Sequence, residues 1–145
     1  MSLAFPCSTA TPGETNWIEV VVAANNDERW SERLEFREHL WIADIAEMRR
    51  EAAAKGVASV IWSYPRGEDL DKDGETAIDI AAYAAQIAAL LGAHIIKIKL
   101  STDHLSLPEA KKVYQDKKID IATQAARVRH CVDSALGGRR ITVFS

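Results

Sequence analysis

From Trp17 onward the hydrophobic positions alternate between two periods, and each change of period marks a new element. The run WIEVVVAA at 17–24 is rich in β-branched residues and bounded by polar ones, which predicts a strand. Asn25, with Glu28 three positions later, is placed to cap a helix. That helix extends to about Lys55, because Leu34, Leu40, Trp41, Ile45 and Met48 recur at mostly three- and four-residue steps before a stop at Gly56, with room for a break near Glu38. The run VASVIWSY at 57–64 predicts a second strand, buried on both faces, ended by Pro65 and followed by a polar loop over 66–74.

Ile78, Ala81, Ala82, Ala85, Ala88 and Ala89 form one stripe of a helix over about 75–91, and Gly92 holds its stop position. The segment HIIKIKL at 94–100 predicts a third strand, and Ser106, Pro108 and Glu109 open a short helix that runs to about Tyr114. A further helix over about 121–136 stops at Gly137 and Gly138, before a last strand at 140–144. Residues 1–16 show neither period and read as an irregular lead-in to one domain at 17–145.

Strands alternating with helices through short turns predict an α/β fold with a parallel sheet built by right-handed crossovers. A closed (β/α)8 TIM barrel takes about 250 residues. With about four parallel strands, this chain supplies part of one, roughly half.

Charge and cysteine content narrow the classes. The net charge is −3 and no long run of like charges occurs, which argues against nucleic acid or a membrane surface as partner. Cys7 and Cys131 are too few for a disulfide framework, in keeping with a reducing, cytoplasmic setting. The N-terminal residues lack the basic start and long apolar core of a secretory signal. The most apolar stretch, 77–100, is interrupted by Asp79, Gln86, Lys97 and Lys99 and reads as helix, turn and strand, not as a membrane span.

Two places hold candidate chemistry. Trp62 and Tyr64 share one strand face and Arg66 follows them, so a phenol and a guanidinium stand where a barrel strand opens toward an active-site mouth. Core aromatics with a satisfied polar tip would look the same. Lys97 and Lys99 share the opposite face from Ile96 and Ile98; burial and a neighbouring like charge both favour a neutral amine, the form that makes a Schiff base. The alternative is an edge strand guarded by lysines. His104 and His130 have no partners at metal spacing and read as loop or surface residues. Asp69, Asp71 and Asp73 lack the glutamate that would complete a calcium loop and read as a solvated acidic turn.

Taken together, VIWSYPRG at 60–67, the segment from Gly74 to Leu100, PEAKKVY at 108–114 and GRRITVFS at 138–145 resemble the archaeal-type class I fructose-bisphosphate aldolases over about residues 40–145. The resemblance implies a metal-independent, cofactor-free cytoplasmic lyase of glycolysis and gluconeogenesis that interconverts fructose 1,6-bisphosphate with dihydroxyacetone phosphate and glyceraldehyde 3-phosphate. By the family pattern Lys97 is the Schiff-base nucleophile and Tyr64 its acid/base partner. Trp62, Arg66 and Lys99 shape and charge the substrate site, and Ser145 begins a phosphate loop held by backbone amides. A homo-oligomer is implied as well. Relatives continue past this point and carry more strands upstream, so a truncated product is expected. Two alternatives follow: a related Schiff-base aldolase for another phosphorylated sugar, or a noncatalytic half-barrel that self-associates.

Overall fold

A computed structural model describes residues 16–23, 42–67 and 70–145. In chain order these form β1 (Asn16–Ala23), α1 (Ile42–Ala54), β2 (Val60–Gly67), α2 (Ile78–Leu90), β3 (Ile95–Ile98), α3 (Pro108–Asp116), α4 (Gln124–Ser134) and β4 (Ile141–Phe144), with a 3-10 turn at Gly74–Thr76 leading into α2. The sheet order is β1-β2-β3-β4. β2, β3 and β4 are parallel, with Ile61, Ile96 and Thr142 in one row and Trp62, Lys97 and Val143 in the next. This is the expected α/β architecture of a partial barrel.

The first strand departs from the expected parallel set, which therefore numbers three. β1 runs antiparallel to β2, with Asn16 opposite Gly67 and Ala23 opposite Val60. A helix connected by short turns returns the chain so that the next strand is parallel. Here residues 24–41 stand between β1 and α1, and so long a connection removes that constraint. The capped helix start at Asn25 and the lead-in over 1–15 lie outside the described residues, while Asn16 already belongs to β1.

β2 also runs past Pro65. The pairing with β3 stops at Trp62 while β1 accompanies β2 to Gly67, so the missing proline N–H falls where β2 has one partner strand. Burial along β2 alternates instead of covering both faces: Ile61 and Ser63 are buried and Trp62 and Tyr64 half-buried.

The core lies on the Ile61, Ile96 and Ile98 side of the sheet. α2 packs there on β2 and β3 and against α4, with Ile78, Ala81, Ala85, Ala88 and Ala89 buried at the contact. α1 contributes Ile45 and Met48. Alanine at these helical positions lets backbone approach backbone closely enough for the Ser63 hydroxyl to donate to the Ala84 carbonyl at 2.9 Å. Gly92 ends α2 with φ of +89°, and a Cβ there would meet Arg49 Nε at 2.6 Å. The position thus favours glycine for its backbone conformation, and a side chain there would also have to displace the Arg49 guanidinium.

The other sheet face is open: Ile141 is 64% and Val143 43% exposed. Among the described residues no helix is long and apolar enough to cross a membrane.

Candidate active site

The open face carries the chemistry. Trp62 and Lys97 are partners across β2 and β3, and the Lys97 Nζ sits 4.0 Å from the centroid of the Trp62 ring. Attraction between ammonium and ring face fixes the end of a long side chain above the sheet. β3 lies between β2 and β4, so its lysines are not the guards of an edge strand.

Tyr64 stands two residues further along β2, its ring centroid 6.2 Å from that of Trp62. Its hydroxyl meets the Ser145 Oγ at 3.0 Å. Since Tyr64 is on β2 and Ser145 follows β4, this hydrogen bond passes across the C-terminal end of β3. The Ser145 amide donates to the Ile98 carbonyl at 3.1 Å and is already engaged in the ladder. Ser145 therefore turns its hydroxyl to the site, beside Tyr64.

Lys99, one step beyond Lys97 on the same face, pairs with Glu75 at 2.8 Å. No local pattern announces this contact, because Glu75 lies 24 residues away in the turn before α2 and reads there as an ordinary helix-start acid. Arg66 continues β2 opposite Trp17; its side chain lies outside the described set. Thus Trp62, Tyr64, Lys97, Lys99 and Ser145 are gathered on one face at the C-terminal ends of the parallel strands. There an amine, a phenol and a second cation could act on one small anionic carbonyl compound.

A second polar contact joins α3 to α4 on the helical side of the fold. The Tyr114 hydroxyl meets His130 Nε2 at 2.7 Å, with the rings edge to face. His130 is thus a half-buried helix residue and not a loop or surface one; His104 does lie in an exposed loop. Burial, together with the charges of Asp79 and Cys131, pushes the Tyr114 phenol up to about 12. Burial lowers the His130 value, against a smaller opposing effect of Asp133. Asp79 accepts from the amides of Ser106 and Leu107 at 3.1 and 2.8 Å, tying α2 to the start of α3. In the acidic turn, Asp71 Oδ1 accepts from the Gly74 amide at 2.7 Å; Asp69 lies outside the described residues.

Cys131 is fully buried, and burial pushes its thiol up to about 11. At pH 8 the thiolate fraction is then roughly one in a thousand. Peptide mapping after treatment with a thiol reagent is expected to find Cys131 unmodified in the folded protein and modified after denaturation. Rapid labelling of the native chain would contradict the packing of α4 on α2.

Residues 18–136 match the domain described as DeoC/LacD family aldolase. The chain belongs to the DeoC/LacD aldolase family. It is 43% identical over 70 residues to the class 1 fructose-bisphosphate aldolase of Thermoproteus tenax, a match covering 48% of this chain and 26% of that protein. Against the class 1 fructose-bisphosphate aldolase of Halobacterium salinarum the identity is 51% over 49 residues, covering 32% of this chain and 18% of the relative. A solved structure of the fructose-bisphosphate aldolase from Slackia heliotrinireducens superposes with a TM-score of 0.54 and 26% identity, over 72% of this chain and 27% of that one. The chain thus spans about a quarter or less of the length of these aldolase relatives, and its three parallel strands form part of a TIM barrel.

Proposed function

We propose that this DeoC/LacD family chain carries the Schiff-base centre of a class I fructose-bisphosphate aldolase, with Lys97 as nucleophile and Tyr64 as proton shuttle. The reading is supported above all by Lys97 on the central strand, its amine held against Trp62 on the sheet face that also bears Tyr64, Lys99 and Ser145. Once it has released its proton, the amine of Lys97 adds to the C2 ketone of fructose 1,6-bisphosphate. Water then leaves, with its proton supplied through Tyr64, and a protonated imine remains. Breaking the C3–C4 bond sends its electron pair into the imine and the C4 hydroxyl proton to a base. Glyceraldehyde 3-phosphate departs and an enamine is left. Protonation at C3 and hydrolysis return dihydroxyacetone phosphate and free lysine. Trp62 orients the amine, while Arg66, Lys99 and Ser145 bind the substrate. In this reading the chain acts in the cytoplasm as part of a homo-oligomer, without metal or cofactor.

Borohydride reduction in the presence of dihydroxyacetone phosphate, followed by intact mass and peptide mapping, tests the assignment. The expected product is a single adduct on Lys97. Folded, soluble protein with no adduct, or with the adduct on another lysine, rejects it and leaves the noncatalytic half-barrel.

A further inference from the structure

We infer that Glu75 is a positioning residue that holds Lys99 as the recognition cation for the phosphate of a phosphorylated ketose, a step that rests on the aldolase reading above. The pair differs in kind from two helix-surface pairs among the described residues. Glu51–Lys55 and Arg129–Asp133 are spaced four residues apart on single helices, and the latter is 77% and 53% exposed. Lys99 and Glu75 meet at 2.8 Å across two loops, with side chains only 29% and 19% exposed.

The placement of Glu75 is built into the fold. Its amide donates to the Asp71 carbonyl at 2.9 Å, and the turn is sewn to the loop after β3 by bonds from Thr102 N to Thr76 O at 2.8 Å and from Ile78 N to His104 O at 2.9 Å. A Cβ on neighbouring Gly74 would meet Leu70 Cδ1 at 2.8 Å, so the turn is close-packed on that side too. A carboxylate fixed in this way sets the direction of the longer, flexible lysine.

The Lys99 backbone is bracketed by Ser145, through Ser145 N to Ile98 O and Leu100 N to Ser145 O, so the two residues stand side by side at the end of the sheet. Lys99 also lies one side-chain repeat, about 6.6 Å, beyond Lys97 on the strand. A phosphate carries nearly two negative charges and three acceptor oxygens, against one charge on a carboxylate. It can therefore take Lys99 from Glu75, whereas the hydroxyl of an unphosphorylated ketose cannot. The ion pair thus acts as a charge threshold. Glu75 keeps the half-buried ammonium neutralised and in place until a dianion arrives.

Inorganic phosphate titrated into the full chain and followed by NMR tests this apart from the Schiff-base chemistry. Glu75→Gln keeps a side-chain oxygen that accepts from Lys99 and so keeps its direction, while it removes the competing charge; it is expected to tighten phosphate binding about tenfold. Glu75→Asp restores the wild-type affinity, and Lys99→Met abolishes binding alone or combined with Glu75→Gln. Equal or weaker binding in folded Glu75→Gln, or wild-type affinity in Lys99→Met, overturns the assignment. Should the Glu75→Gln chain not fold, acetylation mapping of the wild type decides: phosphate should protect Lys99 but leave Lys55 unaffected, and equal labelling with and without phosphate rejects it. Borohydride trapping of unphosphorylated dihydroxyacetone on Lys97 reports the aldolase reading independently, so the two failures are distinguishable.

Discussion

Ile96→Ala is expected to destabilise the chain by about 2–5 kcal/mol, the cost of a deleted branched side chain plus the cavity it leaves. Ile96 is fully buried at the middle of β3, between Ile61 of β2 and Thr142 of β4, under the alanine face of α2. Small alanines cannot swing inward to fill the void, and the helix is held to β2 by the Ser63 bond. Domains of this size are stable by about 5–15 kcal/mol, so a large share of the total is at stake. Thermal melting should fall by roughly 10 °C. Val143→Ala is the control. Its side chain stands on the open face, 43% exposed, and truncation there should cost under about 1 kcal/mol. If Val143→Ala proves the costlier change, the open face is covered in solution, as the self-associating half-barrel would require.

That contrast also shows what the sequence carried. Alternation in HIIKIKL placed Ile96 and Ile98 against Lys97 and Lys99, and burial follows it. The alanine stripe of α2 was legible for a similar reason: a helix packed tightly on a sheet needs small residues every third or fourth position. Local pattern did not reach the direction of β1. Strand direction is decided by the path of the connection, and WIEVVVAA reads alike either way. Nor did it reveal Glu75 or the Tyr114–His130 contact, because polar pairs formed between elements leave no period. Lys97 stood out because two lysines on one face of an otherwise apolar strand conflict with burial, and such conflicts gather at functional sites. The edge-strand alternative was settled only by the sheet order.

Tyr64→Phe is expected to slow imine trapping on Lys97 by about 10²- to 10⁴-fold while leaving the fold intact, the range associated with a positioned proton-transfer group. The argument rests on where the hydroxyl is. The Tyr64 ring flanks Trp62, on which the Lys97 amine lies, and the Ser145 hydroxyl fixes the phenol oxygen at 3.0 Å. Dehydration of a carbinolamine needs a proton delivered to the departing hydroxyl, and phenylalanine keeps the ring but has no proton to give. Loss of the half-exposed hydroxyl should change stability by no more than about 1 kcal/mol, so slower trapping cannot be attributed to unfolding. Tyr83→Phe is the matched control: Tyr83 is 55% exposed on α2, and its removal should leave the trapping rate unchanged. Rates of Schiff-base reduction with dihydroxyacetone phosphate, measured beside circular dichroism melts, check both. Equal rates for Tyr64→Phe and wild type would remove Tyr64 from the chemistry and leave it as a bracing contact for Ser145.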